Sequence, residues 1–191
     1  MKTHADYPNS FSRDSYLFDE VMSLIKKYSV SNVIETGTFE GETSRALSVM
    51  APNVLTIESN FEYYRKATDN LKDIANVVSV IGDSPELLKL FIPQMRGRLL
   101  LFLDAHWGPV WPLEQELASI RLAVQKPVIV IHDFKVDGRP DIGFDSYGGL
   151  ECSWPQFGGL VENIYGVGCY TRRHPEKVSG AMRGTLIVEP L

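Results

Sequence analysis

Along most of this chain, short apolar blocks alternate with stretches of helical spacing. Val33-Ile34, Val54-Leu55 with Ile57, Val77-Val78 with Val80-Ile81, Leu99 to Leu103 and Val128 to Ile131 are the blocks. They are rich in β-branched and aliphatic residues, as strands buried on both faces require. Between them, Leu17, Val21, Leu24 and Ile25 recur at helical spacing over residues 14–28, with Asp14 or Ser15 placed to cap. Residues 42–47 predict a second helix. Phe61, Tyr64, Ala67 and Leu71 predict a third, and Leu113, Leu117, Ile120 and Val124 another over residues 112–124. Strand followed by helix, repeated, predicts an α/β fold with a doubly wound, mostly parallel sheet. Its ligand site is expected at the carboxyl ends of the strands.

Those ends are acidic. Glu35, Glu58, Asp83, Asp104 and Asp133 close five consecutive predicted strands. After the first strand the chain reads Glu35-Thr36-Gly37-Thr38-Phe39-Glu40-Gly41. Gly37 permits a tight turn, and Gly41 allows close approach at a helix start. A dinucleotide loop needs a third glycine and backbone N–H groups facing a pyrophosphate. Here the pattern is E-x-G-x-x-x-G, and Glu35 and Glu40 would repel phosphate. A ligand with an ammonium and a sulfonium group suits them better. Glu58 lies about 20 residues beyond the loop, where a carboxylate can accept from both hydroxyls of a ribose. Gly82-Asp83-Ser84-Pro85 also has the form of a helix cap.

The 191 residues are expected to form a single domain, 1–191, with one core. A net charge of −5 argues against a nucleic-acid partner. Cys152 and Cys169 make no disulfide framework, so a reducing, cytoplasmic setting is expected. The first residues lack the apolar run of a signal peptide, and no stretch is long and apolar enough for a bilayer, so no membrane partner is expected.

Residues 1–13 read as an irregular arm. The tail is harder to place. Residues 135–156 carry six Gly and Pro residues and predict a mobile lid over the site, with Tyr147, Trp154 or Asp145 touching a substrate. A short helix is expected over 160–167, a strand near 166–170 and a last strand over 184–188.

The glycine loop, the acid after the second strand and the acid after the third together resemble the class I S-adenosylmethionine-dependent methyltransferases. The resemblance runs over residues 30–135 and continues into the tail by pattern only. It implies a seven-stranded Rossmann-like sheet closed by an antiparallel C-terminal hairpin. It implies S-adenosylmethionine as cofactor, with Glu35, Gly37, Thr38, Gly41, Glu58, Asp83 and Ser84 around it and Asp83 on the adenine amino group. Leu101-Phe102-Leu103-Asp104-Ala105-His106-Trp107 is similar to the fourth-strand segment of catechol O-methyltransferase-like enzymes. His132-Asp133 stands where macrolide sugar O-methyltransferase-like enzymes carry two acids. The resemblance implies Asp104 and Asp133 as ligands of a divalent metal, Mg²⁺ or Mn²⁺. His132 joins them as a further candidate, since imidazole suits Mn²⁺ better than Mg²⁺. Strand alternation ranks His132 below the two acids, because neighbouring side chains on a strand face opposite ways. The family's lysine base has no match, as Gly108 and Pro109 follow Trp107. His106 is the expected general base beside Asp104.

The expected activity is therefore metal-assisted methyl transfer to a hydroxyl of a small molecule. Metal-free transfer to N or O is the first rival, and an S-adenosylmethionine- or nucleotide-binding module without chemistry is the second. An NAD-dependent oxidoreductase is disfavoured by Glu40 and the missing glycine.

Overall fold

The computed structural model describes residues 2–105 and 111–191. Five parallel strands form the centre: β1 (Asn32–Thr36), β2 (Asn53–Glu58), β3 (Val77–Ile81), β4 (Leu99–Leu103) and β5 (Val128–His132). The linking helices are α1 (Ser15–Lys27), ahead of β1, then α2 (Glu42–Ser48), α3 (Phe61–Leu71), α4 (Ser84–Phe91) and α5 (Leu113–Ile120). A small hairpin, β6 (Ser146–Tyr147) with β7 (Leu150–Glu151), precedes α6 (Trp154–Tyr165), β8 (Tyr170–Arg173) and β9 (Thr185–Pro190). The main sheet has the order β3-β2-β1-β4-β5-β9-β8. Pairing is parallel from β3 to β5, and β9 is antiparallel to both β5 and β8. This is the seven-stranded, mostly parallel arrangement the sequence predicts. No helix among the described residues is long and apolar enough to cross a membrane.

The pleat sorts the core. Ile34, Leu101, Leu103, Ile129 and Ile131 pack with Leu113, Leu117 and Val161 on one face. Val33, Leu100, Phe102, Val128 and Val130 pack with Leu17, Leu24 and Leu47 on the other. Alternation along each strand produces the two layers. Each such side chain contributes roughly 1.5–3 kcal/mol on burial.

The elements depart from the sequence reading in instructive places. Asp14 does cap α1, accepting from Tyr16 and Leu17 N–H. Residues His4–Asp6 and Ser10–Arg13 of the arm form 3₁₀ turns, and Phe11 is buried against Phe18 and Phe102. In α3 the buried positions are Ala67 and Leu71, while Phe61 is exposed. α5 stops at Ile120, leaving Val124 in solvent. α6 begins earlier than expected because Pro155 lies in its first turn, where a missing N–H costs nothing, instead of breaking the chain. Gly166 then ends the helix at a φ of 92°.

Residues 135–156 are not one free loop. Gly148 and Gly149, both left-handed, make the two-residue turn of the β6–β7 hairpin. At its base the segment is tied by Asp145 N–H to Asp133 C=O at 2.9 Å and Lys135 N–H to Cys152 C=O at 2.6 Å. Gly143 N–H bonds Met182 C=O at 2.8 Å. The expected mobile lid is thus anchored to the fifth strand's exit and to the turn before β9.

Candidate active site

The glycine loop folds over the ends of β1 and β2. Gly37 (φ 84°) donates to Ile57 C=O at 2.9 Å. A Cβ on Gly37 would lie 2.3 Å from the Asp104 carbonyl oxygen, so only glycine lets the loop touch the end of β4. Gly41, also left-handed, opens α2 against Leu71. Thr38 is buried, with its hydroxyl 2.5 Å from that of Thr56. Glu58 ends β2 beneath the loop and is buried. Phe39 N–H donates to one carboxylate oxygen and Asn60 N–H to the other, each at 2.8 Å. Each oxygen keeps a lone pair for a further donor. Asp83 is exposed at the end of β3 and caps α4 by accepting from Glu86 N–H at 3.4 Å.

Two acids lie beneath the surface of this cleft. Glu35, expected to face the cofactor, is only 1% exposed. Its carboxyl accepts from Ser44 Oγ, and from Thr56 Oγ1 at 2.6 Å, so it braces α2 and β2 under the loop. Burial pushes its pKa up to about 8. Glu40, the other acid of the loop, points outward and pairs with Lys66 at 3.0 Å. The second buried acid is Glu116 of α5. Ser84, expected at the cofactor, gives its hydroxyl to Glu116 Oε1 at 2.5 Å. Burial raises Glu116 to about 7. The sequence reading passed over Glu116, although its spacing from Leu113 and Ile120 places an acid on the helix's buried stripe.

The densest chemistry lies at the ends of β4 and β5. His132 Nδ1 is 3.0 Å from Asp104 Oδ1 and 3.4 Å from Asp133 Oδ1. One ligand atom from each of the three residues lies within 4.8 Å of the others. Alternation does not separate His132 from Asp133, because β5 ends at His132. Asp133 has a left-handed φ of 56°, and this turn brings its carboxylate back beside the imidazole. Burial alone would lower the His132 pKa. Asp104 and Asp133 outweigh it and raise the pKa well above the usual histidine value. Asp133 is half-buried, and bonds from His132 and Arg183 hold its carboxyl below the ordinary range.

Arg183, unremarked in the sequence, completes the cluster. Its Nε donates to Asp133 Oδ1 and its terminal nitrogen to Asp145 Oδ1. Tyr147 donates to Asp145 Oδ2 at 3.3 Å, and its ring meets Trp111 edge-on at 5.8 Å. Trp154 lies elsewhere, against Arg172 and Tyr170 of β8. His106, the expected base, lies outside the described residues, as does Trp107.

The donor set has the chemistry of a divalent-cation site. Ligand atoms about 2.1 Å from one octahedral ion sit about 3 Å apart in neighbouring positions. The 3.0 and 3.4 Å separations around His132 are near that edge, the three ligand atoms spread no wider than 4.8 Å, and the pairing of two carboxylates with an imidazole has the chemistry of a Mn²⁺ site. The strand ends also carry groups that suit S-adenosylmethionine: Glu58, though buried, keeps free lone pairs, and Asp83 is open to solvent.

No protein-family model matches the sequence, and no curated protein sequence matches it. Solved structures do match in fold. One is the O-methyltransferase TomG from Streptomyces achromogenes, involved in tomaymycin synthesis and bound to S-adenosylmethionine. It has 17% identity and a TM-score of 0.69 over 92% of this chain and 80% of that one. An O-methyltransferase from Bacillus cereus in complex with SAH has 16% identity and a TM-score of 0.64, over 92% and 80%. A precorrin-6y C5,15-methyltransferase from Geobacter metallireducens has 15% identity and a TM-score of 0.62, over 93% and 89%. The chain therefore has the class I methyltransferase fold. At such identities the likeness establishes architecture, and the acceptor has to be argued from the site.

Proposed function

We propose that this protein transfers a methyl group from S-adenosylmethionine to a hydroxyl of a small molecule, with a divalent cation assisting. One observation carries the reading: Asp104 belongs to both halves of the site. Its backbone carbonyl lies against Gly37 of the cofactor loop, and its carboxylate meets His132. Donor and acceptor would then meet at one residue, and methyl transfer depends chiefly on such positioning.

In this reading Glu58 takes the ribose hydroxyls and Asp83 the adenine amino group. Glu35 holds the loop from below. The bound cofactor supplies an electrophilic methyl group on its sulfonium. A cation held by Asp104, Asp133 and His132 would lower the acceptor hydroxyl's pKa and fix its direction. His106 takes the proton released. Tyr147 and Trp111 offer the acceptor an aromatic wall.

Titration calorimetry with S-adenosylmethionine and with NAD tests the cofactor. Binding of the first and not the second is expected, and the reverse would replace the reading with a dehydrogenase. A panel of hydroxylated acceptors, assayed with Mg²⁺ or Mn²⁺ and with chelator, tests the chemistry. Metal-free transfer is the second reading. It is favoured by the way His132 and Arg183 already satisfy the carboxylates a metal would use. Full turnover in excess chelator would select it.

A further inference from the structure

Arg183 holds the Asp133 oxygen that lies nearest His132. His132 Nδ1 approaches Asp133 through Oδ1, and Arg183 Nε bonds that same Oδ1. A cation seated between His132 and Asp133 would meet the guanidinium at this atom. We propose that Arg183 and a divalent cation compete for Asp133, with metal entry shifting the guanidinium onto Asp145. The inference rests on reading Asp104, His132 and Asp133 as a metal site.

The surroundings are built so that the head of Arg183 can move while its backbone cannot. Ala181 N–H bonds Ser12 C=O at 3.0 Å, and Gly184 N–H bonds Gly143 C=O at 2.8 Å. Gly143 N–H bonds Met182 C=O, and Phe134 N–H bonds Gly184 C=O at 2.9 Å. These bonds lie on both sides of residue 183. A Cβ on Gly184 would strike the Phe134 carbonyl oxygen at 2.1 Å, so the turn and the exit of β5 are in direct contact. The side chain, by contrast, keeps 28% of its surface in solvent.

Asp145 gives the displaced guanidinium somewhere to stay. It already binds one terminal nitrogen, and its own N–H is fixed on Asp133 C=O. Tyr147 O–H steadies its other oxygen. Releasing Asp133 therefore leaves Arg183 with a carboxylate partner, so its charge is not stranded. Without metal, Arg183 keeps the two aspartates from repelling each other. With metal, the cation takes over that task at Asp133.

Two measurements decide this. Calorimetry with Mn²⁺ alone compares the wild type with Arg183→Gln. Removing a competing charge-assisted hydrogen bond should tighten Mn²⁺ binding at least about tenfold. The second uses the wild type only. The Arg183 Nε–H resonance, assigned by its loss in Arg183→Gln or by sequential NMR, is followed while Mg²⁺ is added. Its protection from exchange should fall as metal saturates. A purely electrostatic role would tighten binding in the variant yet leave that bond intact in the wild type. Equal or weaker Mn²⁺ affinity in the variant, or an unchanged Nε–H signal at saturation, overturns the proposal. If the variant does not fold, the wild-type titration decides alone. Binding of metal without any response from Arg183 sinks only this inference. Absence of metal binding in both proteins sinks the metal site itself.

Discussion

The two halves of the candidate site hold their acids in different ways. On the cofactor side, Glu58 is fixed by two main-chain N–H groups, from Phe39 and Asn60. On the acceptor side, Asp104, Asp133 and Asp145 are fixed by two side-chain cations, His132 and Arg183. Main-chain donors come with the fold and cannot leave. Side-chain cations can rotate away or exchange for another cation. The first half is built to present one surface to a ligand that changes little. On the proposed reading, the second can be rearranged around an acceptor or a metal.

The largest expected effect is on the rearrangeable half. Asp104→Asn and Asp133→Asn should each lower turnover by roughly a hundredfold or more, the scale on which metal or transition-state contacts act. Affinity for S-adenosylmethionine should stay within about threefold, since neither carboxylate belongs to the main-chain-held half. A parallel loss of cofactor affinity, measured by calorimetry, would show that the halves are not separate.

Next comes Glu58→Ala. Losing a charge-assisted bond pair should weaken S-adenosylmethionine binding at least about tenfold. Phe39 and Asn60 N–H also lose their acceptors, so a stability cost of about 1–3 kcal/mol is expected by chemical denaturation. Unchanged affinity would remove Glu58 from the site.

These two halves also differ in how well the sequence announces them. The main-chain half follows from local rules. Glycines where φ must be positive, a strand ending in an acid and a fixed spacing to the loop all show in a single pass. The parallel sheet was legible for the same reason, from apolar blocks and helical periods. The acceptor half depends on contacts between distant segments. Arg183 meets Asp133 across about fifty residues of chain, and an arginine in a small-residue turn carries no local signal of that. Strand alternation argued that His132 and Asp133 diverge. It was overruled by a left-handed turn at Asp133, which no local pattern announces in a non-glycine residue. Glu116 was within reach, because an acid at helical spacing among leucines has to be buried. Pro155 misled for the opposite reason: among so many glycines, a proline that begins a helix looks like one more loop breaker.

Buried acids offer a test by pH. Glu35 has a pKa of about 8 in the folded protein against an ordinary value of 4.5, so folding binds its proton. Stability from this source is full below about pH 4.5 and is lost progressively until the pH passes about 8. Glu116 acts in the same direction with an upper limit of about 7. Denaturation followed from pH 5 to 9 should therefore show a decline, and Glu35→Gln should flatten part of it. The amide can still accept from Ser44 and Thr56, so the variant should fold. A slope identical to wild type would mean that Glu35 is charged in the native loop. In that case it would be free to act on the cofactor's ammonium, as its place in the sequence first implied.

Glu40 should matter least, and for that reason it sharpens the comparison. In the sequence it stands beside Glu35 as a second acid of the glycine loop and argues against a phosphate ligand. In the structure its carboxylate lies on the outer surface with Lys66, both partners roughly half exposed. An exposed pair of this kind is worth about 0–1 kcal/mol, and salt screens it further. Glu40→Gln should shift the unfolding free energy by less than about 1 kcal/mol and S-adenosylmethionine affinity by less than about twofold. If affinity instead fell as far as in Glu58→Ala, Glu40 would have to turn inward when the ligand arrives. The loop would then belong with the rearrangeable half of the site and not with the half fixed by the main chain.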